Sequence, residues 1–384
     1  MKICFDVSPA VHHHAGLGRY AHELLSALVA TDAANTYTAF YNDPQELLPA
    51  PPLDQLPRVR VPLGAKPWRL SALISHLLNL GMDRALPRGD LFHATDHLLP
   101  RLKHARTVFT LHDLIFQIFP EYHLPLNRWF LKLALPHFLR RADAIIAVSE
   151  CTKRDAMRLY HLPAEKIAVI YEGVNPHLRP ESDPQKIAWV RAHYAKNRRF
   201  IFSLATIEPR KNLIRLMDAV RALHLRGFNQ RLLIAGRKGW LCQDIFEHAR
   251  KVGMQDKIIF LDFVPDEDLP ALFAACDAFV FPSLYEGFGL PPLEAMACGA
   301  PVVASNTSSL PEILGDAALY VNPMDTANIA IGIERVLTNR ELRAELRAKG
   351  IAQAAKFSWE RAARETLAVY EQVAGRKRQV TNTG

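Results

Sequence analysis

The chain has 384 residues, 49% hydrophobic and 22% charged, with a formal net charge of +8. That length exceeds what one hydrophobic core usually holds, so two domains are expected, and the composition excludes a disordered or fibrous class. No apolar run approaches the roughly 18–20 residues of a membrane span and MKICFDVSP has no signal-peptide layout, which together predict a cytoplasmic protein.

Short apolar runs alternate with longer segments of helical period from the first residue onward. KICFDVS reads as a strand and GRYAHELLSALVA as the helix after it, and TYTAFY, VRVPL, DLFHAT, TVFTLHD, AIIAVS and IAVIYEGV follow. The alternation starts again with RFIFSLAT, NLIRLMDAVRALHLR, RLLIAG, KIIFLDF, AFVFPS, PVVAS and AALYV. Runs that are apolar throughout and bounded by turn residues suit strands buried on both faces of a parallel sheet. Two rounds of alternation predict an α/β protein of two doubly wound, Rossmann-like domains, with ligands at the carboxyl ends of the strands. The expected limits are 1–178 for the first domain, 198–356 for the second and 179–197 for a linker rich in proline and charge. A last amphipathic helix is expected over about 357–384.

Residues 1–200 carry 25 Lys and Arg against 18 Asp and Glu, whereas 201–384 carry 22 against 21. The basic bias of the first half suits a phosphorylated substrate, an anionic lipid surface or nucleic acid, or it is scattered solubilising charge. Basic runs are not interleaved with aromatic residues and no recognition module is visible, which argues against nucleic acid. The five cysteines have no paired or CxxC spacing and read as small buried residues in a reducing compartment.

Several strand ends carry residues with chemistry. In VHHHAGLGRYAH, Gly16, Gly18 and Arg19 form a glycine-rich turn able to approach a phosphate or an acceptor. His13 and its neighbours His12 and His14 line the acceptor side more plausibly than they hold a metal. His112 and Asp113 stand just past the strand TVFTL. The segment Leu126 to Asp143 mixes Trp129, Phe130 and leucines with Arg128, Lys132, Arg140 and Arg141. It suits either an anionic bilayer and a lipid-diphosphate acceptor or a helix packed on the first sheet, and Pro136 should interrupt it. In SLATIEPRKN, Arg210 and Lys211 form a cation pair beside a helix start, suited to a diphosphate leaving group. LYEGFGLPPLEAM sets Glu286 and Glu294 on either side of a glycine turn. Backbone N–H groups at a helix start favour phosphate, and carboxylates accept hydrogen bonds from hydroxyls, so the arrangement describes a nucleotide sugar.

EGFGLPPLEAMACGAPVVAS, LATIEPRKN and LPEILGDAALYVNP together resemble the retaining glycosyltransferases of family 4, over essentially the whole chain. The resemblance implies the GT-B fold, with two Rossmann-like domains facing a central cleft and the C-terminal helix returning to the first. It places Glu286 on the transferred sugar and Glu294 on the ribose. The amides of Phe288, Gly289 and Leu290, after Gly287, would hold the sugar or diphosphate, and Gly236, Lys238 and Val264 would lie near the nucleobase. Lys211 takes the diphosphate; where many members carry an arginine this chain has Ala205, so Arg210 is the expected substitute. His112 would touch the donor sugar, with Asp113 on the acceptor side and domain closure assembling the site. The implied reaction moves a hexose, mannose from GDP-mannose first, to a lipid-linked or growing polysaccharide. UDP sugars, a nucleotide-sugar epimerase and a phosphorylase remain alternatives. No acidic D-x-D signature suggests a bound cation, so neither metal nor other cofactor is expected, and peripheral contact with the inner membrane accompanies a lipid-linked acceptor.

Overall fold

A computed structural model describes residues 1–86 and 89–375. The chain divides into two compact units, one of Met1–Asp113, Trp129–Gly173 and the residues from Trp359 on, the other of Leu114–Arg128 and Val174–Ser358. The stretch 179–197, expected as a linker, belongs to the second unit and forms the helix Pro184–Ala195, capped by Asp183 on the amide of Gln185. Proline suits the first turn of a helix, where its missing N–H costs nothing. The expected final helix begins at Trp359 and is described to Gly375, and residues 376–384 lie outside the described residues.

The first unit is a seven-stranded sheet in the order β3-β2-β1-β4-β5-β6-β7, every neighbouring pair parallel. Its strands are β1 (Lys2–Asp6), β2 (Thr36–Asn42), β3 (Arg58–Val61), β4 (Leu91–Ala94), β5 (Arg106–Leu111), β6 (Ala144–Ala147) and β7 (Ile167–Val169). AIIA of β6 is buried at all four positions, as a central strand covered on both faces requires. Order reverses between β1 and β4, the point where open α/β sheets take ligands. Helix Trp359–Gly375 packs on helix Ala15–Thr31. The Tyr370 hydroxyl lies 2.6 Å from His93 Nδ1, and His93 Nε2 lies 2.7 Å from Thr110 Oγ1. The last helix is therefore tied into the polar interior of this unit.

The second unit is a six-stranded parallel sheet in the order β10-β9-β8-β11-β12-β13. These strands are β8 (Phe200–Leu204), β9 (Arg231–Ala235), β10 (Ile258–Asp262), β11 (Ala278–Phe281), β12 (Val302–Ser305) and β13 (Ala318–Val321). Helices Leu213–Leu225 and Thr326–Thr338 lay Leu216, Val220, Ile329 and Ile333 over Ile201, Ile234, Val280 and Val303. Because β8 pairs with β11, the loops after those two strands emerge side by side. That adjacency builds the site.

One expected break is absent. Helix Pro125–Arg141 continues through Pro136, so the proline removes one hydrogen bond without ending the helix.

Candidate active site

Lys211 ends a short 3₁₀ turn, Pro209–Lys211, in the loop after β8. Asn212 follows with φ +59 and donates its side-chain amide to the carbonyls of Pro282 (3.0 Å) and Pro323 (2.7 Å). The amide of Leu284 donates to Arg210 O at 2.9 Å, and Arg210 Nη1 donates to Tyr285 O at 2.7 Å. The loop after β8 is thus stitched to the loop after β11. Lys211 Nζ reaches Glu286 Oε1 at 2.6 Å, and Arg210 Nη1 reaches Glu286 Oε2 at 2.8 Å. The other side of the Arg210 guanidinium binds Glu208, whose second carboxylate oxygen is buried without a hydrogen-bond partner.

These four charges are nearly enclosed. Burial by itself would raise Glu286, but Arg210 and Lys211 more than reverse it and hold the carboxyl down to about 2. Burial and Arg210 lower Lys211, while Glu286 and Glu208 pull the other way. Cations of this kind, desolvated and fixed in place, suit a diphosphate; in this structure their charge is satisfied by Glu286 instead.

The turn after Glu286 is braced from a third loop. Ser308 Oγ accepts from the Glu286 amide at 2.9 Å, and Ser309 Oγ donates to the carbonyls of Glu286 (3.0 Å) and Phe288 (2.8 Å). Gly287 and Phe288 are buried, and Phe288 meets Phe357 edge-on. Gly289 adopts φ +107 as the N-cap of helix Leu290–Ala297, a conformation that side chains rarely take. Leu290 is the first residue of that helix, so Glu294 lies in its second turn and is buried. Pro291 and Pro292 cannot donate, so the donors at this helix start come from the Gly287–Leu290 backbone and Leu293.

The remaining donor-side candidates separate into two kinds. Gly236 (φ +137) follows β9 so close to the residue after β8 that a Cβ would stand 1.9 Å from Ala205 O, which makes it a close-approach glycine. Its amide donates to Asp262 O at 2.7 Å. Val264 is buried, whereas Lys238 is exposed, its ammonium 5.4 Å from the centre of the Phe246 ring.

In the first unit, His112 is the residue immediately past β5 and is buried. Its Nε2 lies 3.0 Å from Thr95 O and its Nδ1 lies 3.4 Å from Glu172 Oε1. Both partners only accept, so the ring satisfies both by carrying a proton on each nitrogen. Burial opposes that charge, yet Glu172, Thr95 O and Asp113 outweigh it and raise His112 above its ordinary value. Tyr20 packs edge-on against the ring at 4.6 Å, and Thr152 Oγ1 donates to His112 O at 3.1 Å. Asp113 is half-buried beside it.

The glycine turn near the N-terminus differs from expectation. A short helix, Ser8–Val11, follows β1, and Gly16 and Gly18 lie inside helix Ala15–Thr31 and not in a loop. Gly18 is buried where a Cβ would come within 2.8 Å of Pro9 O, so it serves helix packing; Gly16 is exposed with nothing nearby. Arg19 is half-buried on the same helix, and His13 sits exposed at the corner with φ +52. Among the described residues no group of three His, Cys, Asp or Glu is placed to hold a metal ion.

Comparison with known proteins decides the assignment. Residues 14–178 match the family described as Glycosyltransferase Family 4, and residues 186–353 match Glycosyl transferases group 1. The chain is 32% identical over 388 residues to O-antigen chain mannosyltransferase B of Escherichia coli, covering 97% of this chain and all of that one. The chain belongs to glycosyltransferase family 4. It is also 37% identical over 260 residues to the serotype-specific mannosyltransferase WbdA of Escherichia coli, of which it spans 32%. In fold it is similar to sucrose-phosphate synthase from Thermosynechococcus elongatus, with a TM-score of 0.79 and 21% identity over 97% of this chain and 99% of that one. The fold is GT-B, and the chain is a glycosyltransferase. Within this family 4 chain, Arg210, Lys211, Glu286 and Glu294 fall in the group 1 region and His112 in the other.

Sequence reasoning missed four residues of these clusters and, apart from them, Asp6. Glu172 lies in IAVIYEGV and Glu208 in LATIEPRKN, both read for other features. Ser308 and Ser309 look like ordinary turn residues. Asp6 ends β1, accepts from Ser8 N and Oγ at 2.9 and 2.6 Å, and is lifted by burial to about 7. An acid at the end of a buried strand was the available signal for it.

Proposed function

We propose that this family 4 enzyme transfers mannose from GDP-mannose, with retention of configuration and without a metal, to a lipid-linked or growing polysaccharide at the inner face of the cell membrane. The observation that carries the reading is full-length similarity to an O-antigen chain mannosyltransferase, in a chain whose Glu286 is gripped by Arg210 and Lys211.

In this reading the donor diphosphate takes over the two cations, and Glu286 is released to accept hydrogen bonds from sugar hydroxyls. Glu294 receives the ribose. The bond from the anomeric carbon to the β-phosphate oxygen breaks while a bond to the acceptor oxygen forms on the same face. The acceptor proton passes to the departing phosphate, and Arg210 and Lys211 stabilise the charge that develops there. His112, its ring nitrogens held by Thr95 O and Glu172, orients the donor sugar and does not serve as a general base.

A thermal-shift and calorimetric comparison of GDP, UDP, ADP and their sugars tests the donor. Selective stabilisation by GDP and GDP-mannose supports the reading, and selectivity for UDP transfers the same site to a UDP sugar. Product analysis without any acceptor separates transfer from epimerisation.

A further inference from the structure

Within the second unit, helix Pro184–Ala195 packs on helix Leu269–Ala275 and reaches strand β9. Next to β9 lies β10, the edge strand of the sheet, in which only Ile258 is fully buried. Between the end of the helix and this strand runs an open groove of about 540 Å³. Ile258 belongs to the core on the other face of the sheet and Phe260 packs against that core, so Ile259 between them turns to the groove. Leu261 extends the apolar floor.

The helical wall is aromatic and held in place. His193 and Tyr194 line the groove, and Trp189, one turn earlier, stacks on the His193 ring at 4.7 Å and 10°. Tyr194 meets both rings edge-on, 4.6 Å from His193 and 5.9 Å from Trp189, and donates its hydroxyl to Asp268. Trp189 nevertheless stays 49% exposed. An ordered, exposed indole beside a groove presents a flat apolar face whose side-chain entropy is already lost before a ligand arrives.

The mouth is polar and of mixed charge. Lys196, Gln255 and Asp256 stand there, and Lys257 Nζ pairs with Asp256 Oδ2 at 3.4 Å. Amide, carboxylate and ammonium supply donors and acceptors without concentrating one sign. A ligand with flat C–H faces and many hydroxyls fits the aromatic wall, the aliphatic floor and the polar mouth together, which describes a neutral saccharide. An added peptide strand suits the place less. β10 shifts register between Phe260 and Asp262, and Asp262 takes φ +52, the kind of irregularity that keeps an edge from pairing.

We propose that this groove is a saccharide-binding site separate from the reaction site, and that it holds the growing polysaccharide. Lys196 precedes β8 and Gln255 and Asp256 precede β10, whereas Lys211 and Glu286 follow β8 and β11. In a parallel sheet those are opposite ends, set about 16 Å apart by the five residues of β8. One hexose cannot occupy both ends, but a polymer held at the groove raises the local concentration of its own free end. For its purpose the site rests on the proposed polysaccharide acceptor.

The test is titration of the full chain with linear tetrasaccharides of mannose, glucose and galactose, followed by saturation-transfer NMR. Binding of at least one of them is expected. Trp189→Ala should weaken it by at least about tenfold at the wild-type melting temperature. Gln255→Ala, which leaves the aromatic stack intact, should weaken it as well, and both variants should respond to nucleotides as wild type does. No binding of any tetrasaccharide, or binding that either variant leaves unchanged, overturns the proposal. So does concentration-dependent dimerisation that Trp189→Ala abolishes in the absence of saccharide binding, which would give the groove to a second copy. Saccharide binding at the groove needs no nucleotide. A protein that binds a tetrasaccharide there but responds to no nucleotide would therefore sink the donor reading alone, and one that responds to GDP but binds no saccharide would sink the groove alone.

Discussion

Lys211 Nζ lies 2.6 Å from Glu286 Oε1, so the cation expected on the diphosphate and the acid expected on the sugar are each other's counter-ions. Arg210 closes on the other oxygen of the same carboxylate at 2.8 Å. In the proposed reading, a donor entering this site would exchange one set of ion pairs for another. The cost of uncovering Glu286 would be offset by the phosphate charges that replace it and by the sugar hydroxyls it would then accept from.

Removing one of those cations should weaken nucleotide binding. Lys211→Ala is expected to reduce GDP affinity by about 1.5–3 kcal/mol, the usual worth of a charge-assisted hydrogen bond. Calorimetric titration with GDP measures it. Unchanged affinity would move the phosphate site away from Lys211.

Glu286→Gln should separate binding from chemistry. The uncharged amide no longer competes for Arg210 and Lys211, so GDP should bind at least as tightly as to wild type. Turnover should fall by about 10²–10³-fold, the scale seen when one preorganised electrostatic contact to a transition state is deleted. Steady-state transfer alongside titration reads both, and near-normal kcat in a folded variant removes Glu286 from the reaction.

The same carboxylate gives stability a pH dependence. Its folded value of about 2 lies below the ordinary 4.5. A depressed value means that the stabilisation is fully present above the unfolded value and is lost as pH falls through the interval from 4.5 to about 2. Urea midpoints measured through that acid range should drop more steeply for wild type than for Glu286→Gln. Parallel curves would show that the ion pairs do not stabilise the fold.

Glu172 has the opposite sign of effect on His112. With His112 raised above 6.5, its contribution is present below 6.5 and lost as pH rises through the folded value. Glu172→Gln should return the His112 titration, followed by the ring proton signals in NMR, to lower pH, and Glu172→Asp should restore part of the shift. An unmoved titration would mean that Thr95 O and Asp113 hold the proton without Glu172.

Much of the fold was legible because strands buried on both faces must be apolar throughout, as AIIA and AFVF are. Glu286, Lys211, Arg210 and His112 were legible as polar residues placed just beyond such strands. Glu172 stands near a strand end too, but its partner His112 lies far back in the chain and nothing local marks it, whereas Glu208 sits two residues before its partner Arg210 in a stretch read for its cations. The opening turn was misread because Gly16 and Gly18 look like a loop signal, while Gly18 answers to the Pro9 carbonyl it packs against. Pro136 was misread for a related reason: packing of Leu131, Ala134, Leu135, Phe138 and Leu139 outweighs the one hydrogen bond it removes.

By itself the sequence determined the periodicities, the strand-end positions of the chemistry and the basic bias of residues 1–200. These are properties of neighbours along the chain, set by hydrophobic period, turn chemistry and composition. Tertiary structure alone decided that Lys211 meets Glu286 across 75 residues, that His112 meets Glu172, and that His93 meets Tyr370 across 277. Those meetings follow from strand order, with β8 beside β11 and β4 between β1 and β5, and from the return of the last helix. Strand order is settled by the global packing of two sheets and their helices, which no local pattern encodes.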